Sequence, residues 1–178
     1  MAITKVLENP NMLKEAFDKY LNSLKQTDER RQLWNLEVKE KIFNVLTCIY
    51  KSFKFDWHVQ RLESVSNYQT INISCNNHSS GIVEIFYDDN IRKPTKTKAY
   101  TKHGGYLAYC QSYNGKINVI IGFPYIDEWV TQMDAKVIAT VEPSAITEEI
   151  ISQHVIKFLQ IMSEWEGMDR PPIGFARQ

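Results

Sequence analysis

Few side chains in this sequence have the type and spacing to do chemistry. They are three cysteines, four histidines, two carboxylate pairs, one glutamate inside an apolar run and one stretch of cations. A cysteine nucleophile needs a base and donors for an oxyanion. His103 precedes Cys110 and is the nearest histidine that could serve as its base. The simpler reading of Cys110, and of Cys75 and Cys48, is a buried thiol. His58, His78, His103 and His154 show no HxxxH spacing and no CxxC companion. They read as solvated or locally hydrogen-bonded residues, with His154 on the polar side of a C-terminal helix. Asp88-Asp89 and Asp127-Glu128 read as turn residues. Glu84 is the one acid in a strongly apolar strand. With Asp88, Asp89 and Lys96 it comes nearest to a metal-dependent nuclease set, without a defining spacing. No Walker A loop, GxGxxG, GxSxG or HExxH occurs, so no metal and no cofactor is expected. His103-Gly104-Gly105 has the composition of an oxyanion-hole glycine run, but no nucleophile elbow accompanies it. Its glycines read as permissive loop backbone.

Two further groups suggest binding. Arg92, Lys93, Lys96, Lys98 and Lys102 form a run of five cations without an acid, interleaved and followed by Tyr100 and Tyr106. That composition suits a phosphate or nucleic-acid loop, and equally a solvated loop or a lysine-guarded edge strand. Aromatic residues make up 12% of the chain and crowd around one region, with Tyr113, Tyr125 and Trp129 beside turns. Exposed aromatics mark partner sites. The candidate contacts are therefore Arg92, Lys93, Lys96, Lys98, Lys102, His103, Tyr113, Tyr125 and Trp129.

These residues must be positioned by a scaffold, and the centre of it is Tyr106–Phe123. Two apolar, β-rich runs flank Asn114-Gly115, which predicts a hairpin with a type I′ turn. Upstream, Asn9-Pro10 predicts a helix start, followed by Leu13, Phe17, Tyr20, Leu21 and Leu24 at helical spacing. A second stripe runs from Leu33 to Phe53, and the intervening QTDERR holds no Pro or Gly to force a break. Strands are expected around 55–59, 68–75 and 82–87, with NNHSSG as a turn. Residues 88–105 read as a long polar connection in which TKTKAYT forms an edge strand. FPYIDEW reads as a turn into a short helix or irregular segment, and KVIATVE as a further strand. A last helix, capped by Ser144 or Thr147, carries Ile151, Val155, Phe158, Leu159 and Met162 and stops at Gly167. The runs at 82–87 and 117–123 are apolar on both sides and are expected to be central.

Helices, consecutive strands and a helix predict an α+β fold. Its antiparallel sheet has five or six strands, with the N-terminal helices and the C-terminal helix packed mainly on one face. One domain is expected over residues 1–178, with 1–8 and 168–178 as flexible tails. Apolar residues reach 43%, and 21 Lys+Arg balance 21 Asp+Glu, which argues against a nucleic-acid coat or a polybasic membrane binder. No apolar run approaches a bilayer span and no signal-peptide core is visible. Three scattered cysteines fit reduced thiols in a cytoplasmic protein. The sequence favours a non-enzymatic, protein-binding domain of adaptor or inhibitor type, with self-association through a sheet edge or the first helix. The alternative is a nucleic-acid or phosphate-ligand binder, or an enzyme, using the 92–102 loop.

Overall fold

The helical periodicity that begins at Pro10 does not break at QTDERR. The computed structural model describes residues 10–53, 56–63, 69–88 and 93–169. In it α1 (Pro10–Leu33) passes through a π turn (Trp34–Val38) into α2 (Lys39–Phe53). The N–H of Lys39 donates to the carbonyl of Trp34, the wide i→i−5 bond of a π turn. Trp34 and Val38, i and i+4 on one helix face, are both in the core, at 0% and 1% exposure. The strands follow as β1 (Trp57–Glu63), β2 (Gln69–Cys75), β3 (His78–Tyr87), β4 (Pro94–His103), β5 (Tyr106–Gln111), β6 (Ile117–Gly122), β7 (Tyr125–Ile126) and β8 (Lys136–Val141). The last helix is α3 (Glu148–Glu166).

Five strands form one antiparallel sheet in the order β1-β2-β5-β6-β8, with β5 in the middle. The register aligns Val59, Ile73, Leu107 and Ile121 across four strands, and Ile71, Tyr109 and Val119 in the next layer. Alternation along each strand sends this set to one face. That face packs under Ile42 and Leu46 of α2 and Ile151, Val155, Phe158 and Met162 of α3. Phe158 meets Trp57 edge-on at 5.9 Å. Each large side chain fully buried here contributes about 1.5–3 kcal/mol. The helices thus share one face of the sheet, and the fold is α+β. Thr147 caps α3 by accepting the Ile150 N–H at 3.2 Å, and Glu148 and Glu149 complement the positive helix end.

A second sheet, β3-β4-β7, corrects the expectation for 82–87. That strand is outermost in the smaller sheet, not central in the larger one. TKTKAYT lies between β3 and β7, yet β7 pairs only with Lys102 and His103. Beyond that point β3 and β4 continue as a ribbon of two strands. A bulge near Gly81, at φ +75°, bends β3, and the Ser80 hydroxyl donates to the Tyr100 carbonyl at 2.7 Å to hold it. The NNHSSG turn is shorter than expected, because His78 already belongs to β3. Phe55, Asp89, Arg92 and most of both expected tails lie outside the described residues.

The hairpin between β5 and β6 is also corrected. Gly115 has φ +80°, but Asn114 keeps a negative φ, so the turn is not type I′. Instead the Gly115 N–H donates to the Ser112 carbonyl at 2.9 Å, closing a turn over 112–115 with Gly115 in the left-handed position. A Cβ on Gly115 would stand 2.6 Å from the Arg30 Cβ, so this turn lies directly on α1.

Candidate protein-binding surface

The pleat of β4 puts Lys96, Lys98, Tyr100 and Lys102 on one side of the ribbon. Glu84 and Phe86 of β3 stand opposite Lys98 and Lys96. Two of these three lysines are neutralised internally. Lys98 pairs with Glu128 at 2.5 Å, which raises the lysine's pKa, and Lys102 pairs with Glu166 and lies over Trp165 at 5.1 Å. Tyr100 donates its hydroxyl to Glu84 and meets Trp129 edge-on at 5.8 Å. That hydrogen bond raises the phenol's pKa above its ordinary value. Glu128 is the one non-glycine among the described residues with positive φ, 61°, in the turn after β7. His103 stacks on Tyr125 at 4.2 Å and reaches Asp127 at 3.0 Å. Six of the candidate contacts, Lys96, Lys98, Lys102, His103, Tyr125 and Trp129, therefore gather on or beside one arm. Tyr113 does not join them: it sits on the β5–β6 turn against Arg31 of α1.

The opposite side of the arm is apolar and uncovered. Val83 faces Ala99 and Ile85 faces Thr97 across the ribbon. On this side Val83 and Ile85 are 55% and 47% exposed; Phe86, on the lysine side, is 41% exposed, and Tyr87 at the ribbon's end 59%. Sequence reasoning placed this run in the core. A run apolar on both sides has the same pattern in a buried strand and in an edge strand that awaits a partner.

The candidate chemistry is not assembled. Cys110 lies opposite Thr70 and Asn118, while His103 lies opposite Tyr125 in the other sheet. Burial pushes the Cys110 thiol up, and pushes Cys75 up to about 11, so both stay protonated near neutral pH. Glu84 is exposed and engaged by Tyr100. Among the described residues no group of three or more His, Cys, Asp or Glu stands close enough to hold a metal ion. His154 is half-buried on α3 rather than on its polar side. The Tyr109 hydroxyl lies 3.2 Å from its Nδ1, and burial lowers its pKa.

Sequence reasoning missed one polar chain. Asn76 donates its amide to Asp56, which turns its Oδ1 toward His58 Nδ1 at 2.5 Å. That makes Nδ1 the protonated nitrogen, leaving Nε2 to accept from Ser74 Oγ at 3.0 Å. The donor order is that of a serine nucleophile with its base. The backbone N–H groups of β2 cannot serve as oxyanion donors, because β2 is paired on both sides and they are committed to the sheet. The chain is legible only once the His58–Ser74 register is known.

Two clefts accompany these groups. One, of about 300 Å³, lies where Cys75, His78, Lys102, Gly104 and Glu166 meet. The other, of about 390 Å³, is an apolar groove between α2 and α3 lined by Ile49, Phe53, Val155, Ile156 and Leu159. Among the described residues no helix is long and apolar enough to cross a membrane. No family model matches the chain, and no curated protein or solved structure matches it.

Proposed function

We propose that this chain is a non-enzymatic protein-binding domain of adaptor or inhibitor type, which takes an extended segment of a partner protein onto the edge of β3. The observation that carries this reading is the two-stranded ribbon with Val83, Ile85, Phe86 and Tyr87 in water. A ribbon of two strands is marginal by itself, and a third strand completes it. The two edges differ. The β4 edge carries the cation of Lys96, which repels casual pairing. Along β3 from Ile82 to Tyr87 the only charge is Glu84, already engaged by Tyr100. Main-chain hydrogen bonds from an added strand, each worth about 0.5–1.5 kcal/mol net, would combine with burial of Val83 and Ile85. Alternating pockets along the strand would supply selectivity. Three free cysteines fit a reducing, cytoplasmic setting. The nucleic-acid alternative is weakened by the pairing of Lys98 with Glu128 and of Lys102 with Glu166.

The test is to select peptides from a random display library on the full chain and map their footprint by amide hydrogen exchange. Protection confined to 82–87 and the facing part of β4 is expected. Protection centred on another surface, or failure to recover any peptide, would sink the proposal.

A further inference from the structure

We infer that α1 pairs antiparallel with the α1 of a second copy of this chain, forming a two-fold dimer. No residue of α1 is buried, and every position from Pro10 to Gln26 is exposed. At 1.5 Å per residue this stretch projects roughly 25 Å from the body. A solvated helix of that kind has no use for apolar residues on one side, yet it carries them. Leu13, Phe17, Tyr20, Leu21 and Leu24 are 58%, 59%, 58%, 47% and 47% exposed.

Their spacing points to a helix as the occupant. Pro10, Leu13, Phe17, Tyr20 and Leu24 alternate steps of three and four, the seam of a coiled coil. Lys14, Ala16, Leu21 and Ser23 flank the seam, while Glu15, Asp18, Lys19, Asn22 and Lys25 lie on the far side. The flanks hold a single charge, so a second identical helix meets no like-charge pair across the seam. In an antiparallel register Leu13 lies over Leu24 and Phe17 over Tyr20, repeated by the two-fold axis, while Pro10 falls opposite Thr27. Taking roughly 150–250 Å² for a fully exposed large side chain, the five residues leave on the order of 500 Å² per copy in water. The flanking residues bring that toward the ~800 Å² that each partner gives to a standard interface.

The direction follows from what holds the other end of α1. Arg30 grips Glu142 through two bonds, at 2.6 and 2.9 Å, and Arg31 donates to the Tyr113 carbonyl at 3.0 Å. The line of the seam continues through Thr27 and Arg31 to Trp34 and Val38, where the chain's own sheet covers it. A parallel partner would bring its body to the place this body already fills. An antiparallel partner puts the two bodies at opposite ends and closes the symmetry, so no open filament forms.

The experiment is the molar mass of the full chain by light scattering across a dilution series. Twice 20.8 kDa is expected for the wild type. Leu13→Glu, Phe17→Glu and Leu24→Glu together should weaken association on the order of 100-fold or more, with the far-UV circular dichroism of the folded chain retained because these side chains are 58%, 59% and 47% exposed. In a Cys48→Ser background, mild oxidation should crosslink the Leu13→Cys/Leu24→Cys double variant and neither single variant. A wild type at 20.8 kDa throughout, a dimer that survives the triple substitution, or single variants that crosslink as well as the double would each overturn the inference. Val83→Lys/Ile85→Lys, which disables the β3 edge, should leave the dimer intact, so this inference and the β3 reading fail separately.

Discussion

Replacing Gly104 with alanine strikes the joint between the arm and the large sheet. A Cβ at Gly104 would stand 2.2 Å from the Cys75 carbonyl oxygen and 2.6 Å from its carbon. Both are backbone atoms of a strand paired on each side, so neither can swing away. The β4–β5 junction must move instead, which strains the bond from the Cys75 N–H to the Gly105 carbonyl at 2.9 Å. Overpacking of this kind costs about 1–3 kcal/mol, and the weakened hydrogen bond about 1 kcal/mol more. The sum, about 2–4 kcal/mol, lowers Tm by about 4–16 °C in a domain of this size. Gly81→Ala is the control: φ there is +75° but nothing lies within 4 Å. Its cost is the left-handed penalty alone, about 1–2 kcal/mol. Thermal unfolding followed by circular dichroism ranks the two variants. If Gly104→Ala is no worse than Gly81→Ala, the close approach of the junction to β2 is wrong, and the argument from it fails.

Phe158→Ala empties a fully buried site beside Trp57 and should cost about 3–5 kcal/mol in urea unfolding. His154 is held neutral by burial and by the charge of Lys157. Below its ordinary pKa the unfolded chain takes up a proton first, so stability should decline as pH falls from about 6.5 toward the lowered folded value. His154→Gln should flatten that part of a pH–stability profile. Glu142 is lowered by its bonds to Arg30 and then Lys116. Its contribution is complete above the ordinary carboxylate range and is lost as pH drops through the lowered folded value. Glu142→Gln should remove that acid-side loss, measured as a midpoint shift in denaturant at pH 3–5.

The helices and the large sheet were readable because their patterns repeat. Ile151, Val155, Phe158 and Met162 spell one face of α3, and Thr147 supplies a cap that needs only three residues of context. Leu107 and Ile121 alternate in step with the strands that carry them. The π turn was not readable, since no residue type demands it. Residues 82–87 misled for a physical reason. Apolar side chains on both faces satisfy a buried strand, but the bulge at Gly81 and the Gly104 joint swing this one away from the large sheet. The Asp56–Asn76–His58–Ser74 chain needed the register of β1 on β2, which pattern alone does not fix. Neither did the cation run reveal that Lys98 and Lys102 have acids waiting from the turn after β7 and from the end of α3.

The most direct test of the β3 edge as a partner site is a fluorescence-anisotropy titration of a selected peptide against three proteins at two salt concentrations. The proteins are the wild type, Val83→Lys/Ile85→Lys and Lys96→Glu/Lys98→Glu. Strand addition at β3 predicts a loss of at least ~10-fold in affinity for the first variant, from about 1.4 kcal/mol or more of lost packing and pairing. It also predicts little change for the second variant and a shallow salt dependence. Equal binding by Val83→Lys/Ile85→Lys, or affinity that collapses with salt and with Lys96→Glu/Lys98→Glu, would contradict it and return the cations of β4 to the centre.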